Sequence, residues 1–148
     1  MMKRSWVVYV LGAIVFLGPT VAFAEDSIGQ DLRELVLQGL QATQNEDAGA
    51  VLQTIHSQSP AYNKITEQLP RIFADYDIKY DLLSYVYLGS DNEYAVARIT
   101  QTAEKVNQKP EAPRFQNNKA DIIQVFRKEN EIWKFWNQVI LEFELSEK

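Results

Sequence analysis

Apolar residues recur at a spacing of three to four between Ile28 and Leu40. Ile28, Leu32, Leu35, Val36 and Leu40 fall on one face of a helix that Asp26 or Ser27 can cap. Asn45-Glu46-Asp47 interrupts that period, and Asp47 can cap a short second helix through Val51, Leu52 and Ile55. Ser57-Gln58-Ser59-Pro60 breaks it. A third helical stretch, about 65–76, carries Leu69, Ile72 and Phe73, with Pro70 in its first turn or at a kink. From residue 78 the period becomes two. Residues 78–88 are strand-like and end at the turn Gly89-Ser90-Asp91-Asn92. Residues 94–106 alternate Ala95, Ala97, Ile99 and Ala103 with Arg98, Thr100, Thr102 and Glu104. Residues 107–114, with Pro110 and Pro113, form a loop. Residues 115–128 and 132–145 flank Glu129-Asn130-Glu131, a tight hairpin. Three helices followed by four long antiparallel strands predict an α+β fold, with the N-terminal helices on one face of the sheet.

The same alternation assigns faces. On the last strand Trp133, Phe135, Val139, Leu141, Phe143 and Leu145 share one parity, interrupted only by Asn137. A hairpin closed by a two-residue turn sets Phe126, Gln124 and Ile122 beside Trp133, Phe135 and Asn137. The inner face is then apolar, with three neutral amides set in it: Gln101, Gln124 and Asn137. Burying an unpaired amide costs roughly 1–3 kcal/mol, so each needs a partner in backbone, water or ligand. The opposite parity carries Ile132, Trp136 and Ile140, a stripe expected to be covered by a second chain in an isologous homodimer. One bulge would flip part of a strand.

Composition narrows the chemistry. The 148 residues contain no cysteine, so disulfides, thiol nucleophiles and cysteine-ligated metals are excluded. A net charge of −5 without a Lys/Arg cluster argues against nucleic acid and anionic lipid as partners. The N-terminus has the pattern of a cleavable secretory signal. Lys3 and Arg4 precede a short apolar run at 6–17, Gly18-Pro19 breaks it, and Ala22-Phe23-Ala24 is an A-x-A cleavage site. Cleavage after Ala24 leaves residues 25–148 as one domain, exported to the periplasm or secreted, with no stable membrane anchor.

Three segments carry a family resemblance. These are Leu40-Gln-Ala-Thr-Gln-Asn-Glu-Asp47, Asp91-Asn-Glu-Tyr-Ala-Val-Ala-Arg98 and Val125-Phe-Arg-Lys-Glu-Asn-Glu-Ile-Trp-Lys134. In this order they resemble the nuclear-transport-factor-2-like superfamily of SnoaL-like, cystatin-like α+β cones. The resemblance spans nearly all of 28–141, except that a family-typical glycine in the late turn is Asn130 or Glu131 here. It implies a curved sheet wrapped on a long helix, a pocket inside the cone and frequent homodimers. The superfamily holds both enzymes and proteins without catalysis, so fold leaves function open.

The catalytic sets of such proteins do not transfer. The isomerase-like members need a helix-1 tyrosine and sheet carboxylates; the corresponding positions here carry Leu32, Leu35, Val36 and Leu40, and neutral amides. The dehydratase-like members use two histidines, and this chain has His56 alone. An amide can donate to a developing oxyanion, but it cannot take a proton from carbon. His56 is the one candidate for a general base, against a plain loop or helix-cap role. Tyr62, with Trp133 and Phe135, is expected to line the pocket with the amides. No metal or cofactor motif occurs. The expectation is a non-catalytic module of the cell envelope that binds a small molecule or an envelope protein. The alternatives are an isomerase- or hydrolase-like enzyme near His56, or a purely structural homodimerisation module.

Overall fold

The computed structural model describes residues 22–146, with side chains from Ser27 onward. Residues 1–21 of the proposed leader, 1–24, lie outside the described residues, and so do the side chains of its cleavage site. Helix α1 (Ala22–Gln44) is followed by α2 (Ala48–Gln53) and α3 (Tyr62–Asp75). Four strands follow: β1 (Tyr76–Ser90), β2 (Tyr94–Gln108), β3 (Asn118–Glu129) and β4 (Ile132–Leu145). They form one antiparallel sheet in the order β1-β2-β3-β4. Asp47 caps α2 by accepting the Ala50 N–H at 2.9 Å. Helix α3 begins at Tyr62, earlier than expected, and Pro70 lies inside it rather than in its first turn. Among the described residues no helix is long and apolar enough to cross a membrane.

Close packing explains why α1 sits where it does. Leu32 and Val36 bury against Ala95, Ala97 and Ile99 of β2 and Ala120, Ile122 and Phe126 of β3. The alanines keep the floor low enough for a helix to lie directly on it. Gly29 takes this to the limit, since a Cβ there would stand 3.3 Å from Tyr87. Beside it the Tyr85 hydroxyl donates to the Gly29 carbonyl at 2.8 Å, and burial pushes the Tyr85 pKa up to about 12. A second cluster joins Ala42 of α1, Val51 and Ile55 of the α2 segment and Leu69 of α3. The chain then touches the sheet again at Ile55, which pairs in parallel with Phe135 of β4. All three helices therefore lie toward one face.

The β3–β4 register departs from simple alternation twice. Phe126 pairs with Phe135, but Val125 pairs with Asn137, so Trp136 is an extra residue. Asp121 pairs with Glu142 and Ile122 with Ile140, so Leu141 is a second one. The first bulge reverses the faces of β4 and the second restores them. Trp133, Phe135, Phe143 and Leu145 face the helices as expected, because their partners share the parity of buried Ala120 and Phe126. Between the bulges Asn137 and Val139 face outward, while Gln138 and Ile140 face inward. The assignment of Asn137 to the inner face, and of Ile140 to the outer one, is thereby corrected.

The hairpin turn itself is Asn130-Glu131, both in the left-handed region, with φ of 51° and 63°. Such a pair matches the strand twist, but at Glu131 a side chain occupies a conformation that glycine adopts at no steric cost. Glu131→Gly should therefore raise the unfolding free energy, by about 0.5–1 kcal/mol once the added chain entropy is subtracted. Equilibrium urea unfolding reads this directly, and a lower stability would contradict the turn assignment.

Candidate ligand-binding site

Two hollows flank the α1–α2 pair. The inner one, about 160 Å³, lies beneath the helices. Val36, Leu40 and Thr43 of α1 roof it, and Gln124, Phe126, Phe135 and Gln138 form its floor. The expected amide Gln124 is in place here, with Gln138 standing beside it where Asn137 was expected. Asn137 is exposed on the other face and accepts the Gln138 N–H at 2.8 Å. Gln101 faces inward but lies further along β2, between Leu82 and Ala120, outside this hollow. Tyr62 packs with the Val51–Ile55–Leu69 cluster and lines neither hollow. The space suits a few waters or one very small molecule, well under the 300–1,000 Å³ typical of ligand pockets.

The outer hollow is a cleft of about 800 Å³ between α1, α2 and the first residues of β4. Leu35, Leu37, Ile132 and Trp133 supply its apolar wall. Gln38, Gln41, Asn45 and Gln53 supply neutral amides, three from two adjoining helices and Asn45 from the turn that follows α1. Spacing explains the set, since 38 and 41 lie three apart on α1 and the Asn45 N–H, just past its end, still bonds the Gln41 carbonyl. Two charged residues reach the cleft, Asp47 and Lys134. Asp47 is held by the α2 cap, and the Lys134 ammonium donates to the Gln53 carbonyl. Gln41 donates to Asn45 at 2.9 Å. An arrangement of this kind can bind through hydrogen bonds and apolar contact. Ile132 and Trp133 belong here by position, although Ile132 was expected on an interface.

His56 is buried, not solvated. It is 5% exposed, its ring stands edge-on to Trp136 with centroids 5.0 Å apart, and its Nδ1 accepts the Gln58 N–H at 3.1 Å. Glu129 lies 3.6 Å from Nδ1. The residues around it have the composition of a nucleophilic triad, Ser57, His56 and Glu129, but not its wiring. The Ser57 hydroxyl donates a hydrogen bond to the Glu129 carboxylate, which also accepts the Ser57 N–H at 3.1 Å. A nucleophile must instead be hydrogen-bonded to the imidazole. The group fastens the 54–59 loop to the sheet, aided by His56 N–H on the Phe135 carbonyl and Ser59 Oγ on the Trp136 carbonyl. Neither Ser57 nor Glu129 carried any sequence signal, because their contact spans 72 residues.

Trp136 lies under the Arg127 guanidinium, 4.7 Å from its ring centre, and Arg127 in turn is held by Glu93 at 2.8 Å. Ile132, Trp136 and Ile140 thus occupy three different surroundings, the cleft, the outer face and the inner face, and do not form one stripe. Arg98 pairs across strands with Asp121, its Nε 3.0 Å from Oδ1. Among the described residues no group of three or more potential metal ligands occurs.

The Ser57 hydrogen bonds hold the Glu129 pKa below the ordinary carboxylate value. A depressed carboxylate stabilises the fold above its unfolded pKa, and that contribution is lost as pH falls through the folded value. Wild-type stability should consequently decline as pH drops below about 4. In Glu129→Gln the decline should be shallower, with lower stability at pH 7; parallel pH profiles of the melting temperature for the two proteins would refute the role.

A search of curated proteins finds no match to this sequence. Solved structures share its fold. A nuclear transport factor 2-like superfamily protein from Salmonella enterica serovar Typhimurium superposes with a TM-score of 0.64 at 14% identity, covering 83% of this chain and 94% of that one. A cystatin-like-fold protein from Nostoc punctiforme gives 0.59 at 14% identity, covering 79% and 90%. A ketosteroid isomerase-like protein from Erwinia carotovora gives 0.56 at 14% identity, covering 77% and 96%. At such identities the likeness is one of fold, and it matches the α+β cone expected from the three quoted segments. The model of the anti-sigma-I factor RsgI9 C-terminal domain matches residues 34–145, and the chain belongs to that family.

Proposed function

We propose that this domain is a non-catalytic binding module that takes an uncharged, hydrogen-bonding small molecule in the α1–α2–β4 cleft. The observation that carries the reading is the character of the cleft wall. Four neutral amides and a tryptophan line about 800 Å³, while Asp47 and Lys134 are engaged by backbone groups. The two charged groups are of opposite sign and are tethered by backbone hydrogen bonds, whereas a dense array of hydroxyl or amide groups meets four neutral amides. General acid–base work needs a titrating side chain within reach of the substrate. His56, the one histidine, is instead built into the loop that ties α2 to β4. The family match supports a place in signalling, since its namesake is the C-terminal domain of an anti-sigma factor. On this reading the cleft is the ligand-reading end of such a system. Export follows from Lys3, Arg4, the apolar run and the Ala22-Phe23-Ala24 site.

Two experiments test these statements. Titration of the chain with neutral polyols and amides, and with charged counterparts of equal size, should show calorimetric binding only for neutral ligands. Replacing two amides by leucine (Gln38→Leu with Gln53→Leu) should weaken that binding at least tenfold, about 1.4 kcal/mol, with an unchanged circular dichroism spectrum. Binding that survives the double substitution would move the site elsewhere. N-terminal sequencing of the protein recovered from the producing cell should begin at Glu25; a product retaining residues 1–24 would refute export by cleavage.

A further inference from the structure

A further hollow, of about 520 Å³, lies where β2 runs into the 109–117 loop and β4 finishes. Lys105, Arg114, Phe115, Asn117 and Leu145 stand in its wall, and it shares no residue with the amide cleft. Hydrogen bonds fix its frame. Asn117 Oδ1 accepts the Lys105 N–H at 2.8 Å, and the Asn117 carbonyl accepts the Ser146 N–H at 2.8 Å. One residue thus joins β2, the loop and the end of β4. Gln108 Oε1 accepts the Phe115 N–H at 3.1 Å, and the Phe115 ring packs on Tyr76 with centres 5.6 Å apart. Both charged side chains of the wall are cationic. Among the described residues the Arg114 guanidinium has no hydrogen-bond or ion-pair partner, and the Lys105 ammonium meets only the neutral Gln108 Oε1, at 3.3 Å. The carboxylates next to Lys105 and Leu145 in sequence, Glu104 and Glu144, belong to the other face, where Glu104 is opposite Lys79 and Glu144 lies 3.7 Å from Lys119.

Leu145 also begins a second feature. Leu145, Phe143 and Ile140 lie on the helix side of β4, yet each is 52–53% exposed. The helices stop short of them and leave an apolar strip, about 15 Å long, that leads away from the hollow. We propose that hollow and strip form one site for an amphiphilic carboxylate, a fatty-acid-like anion. Its head lies between Lys105 and Arg114, and its tail runs along Leu145, Phe143 and Ile140. Charge complementarity selects the head. A guanidinium fork pairs with both oxygens of one carboxylate, and an ammonium adds a second charge-assisted hydrogen bond. The strip selects the tail. An alkyl chain takes out of water three side chains that the fold leaves half exposed, whereas a wholly hydrophilic anion leaves them wet. Lys105 and Arg114 are nine residues apart in the sequence, and only the course of the loop brings them to one wall.

Calorimetric titration of the full chain with decanoate, below its micelle concentration, tests both halves of the site. Decanoate should bind, decanol at least tenfold more weakly, and acetate not measurably. Affinity should rise from hexanoate to decanoate and fall as salt is added. Lys105→Gln with Arg114→Gln, at two exposed positions outside the core, should cut decanoate affinity at least tenfold and leave that of decanol unchanged. Phe143→Ser should weaken both ligands. In a two-dimensional amide spectrum decanoate should shift the backbone signals of 114–117 and 143–146, with the side-chain amides of Gln38 and Gln53 unmoved. Equal affinity for decanoate and decanol would overturn the inference, and so would decanoate shifts confined to the amide cleft. It would fall equally if decanoate failed to bind, including the case of a dimer in sedimentation equilibrium that Phe143→Ser dissociates, which would give the strip to a second copy.

Discussion

The rest of the architecture depends on how closely α1 can approach the sheet. Ala95, Ala97 and Ile99 have no exposed surface, and Gly29 sits where a methyl group would press on Tyr87. Residues of ordinary size at these places would lift the helix, opening the core that Leu32, Val36 and Phe126 fill. Because α1 is seated so low, α2 can pack beside it and still deliver Ile55 to the edge of β4. That second anchorage places Gln53 next to Lys134 and makes a wall out of two helices and one strand. The cleft is a product of the packing, not an addition to it.

The same packing accounts for the chemistry that the domain can and cannot perform. The volume directly beneath the helices is nearly filled, and its amides, Gln124 and Gln138, line about 160 Å³. The larger space lies outside, where the polar face of α1 meets α2. A polar helix face of glutamines and asparagine offers donors and acceptors of both kinds at neutral charge. Several charged groups are paired away from the cleft, Arg98 with Asp121, Arg127 with Glu93, and Glu129 with Ser57.

Periodicity made most of the fold legible. Helical spacing from Ile28 to Leu40, the Asp47 cap and alternation after residue 78 correspond to α1, α2 and the four strands. The cone-like family resemblance was legible from three segments. What alternation cannot contain is an unpaired residue, because a bulge is set by the partner strand and not by local composition. Trp136 and Leu141 are such residues, and they alone exchange the faces of Asn137 and Ile140. The burial of His56 was equally out of reach, since it depends on Glu129 and Trp136 arriving from the far end of the chain. The outer cleft was missed for a different reason. Gln38, Gln41 and Asn45 read as an ordinary solvated helix face until α2 and Trp133 are brought opposite them.

The central claim is that recognition occurs on the outer amide wall. Its most direct test is a two-dimensional amide NMR spectrum of the isotope-labelled chain, recorded with and without a bound neutral ligand. The account predicts that the side-chain amides of Gln38, Gln41, Asn45 and Gln53 and the indole N–H of Trp133 shift together, while Gln124 and His56 stay in place. Shifts confined to Gln124, Gln138 and the surroundings of Phe135 would contradict it and return the site to the interior of the cone.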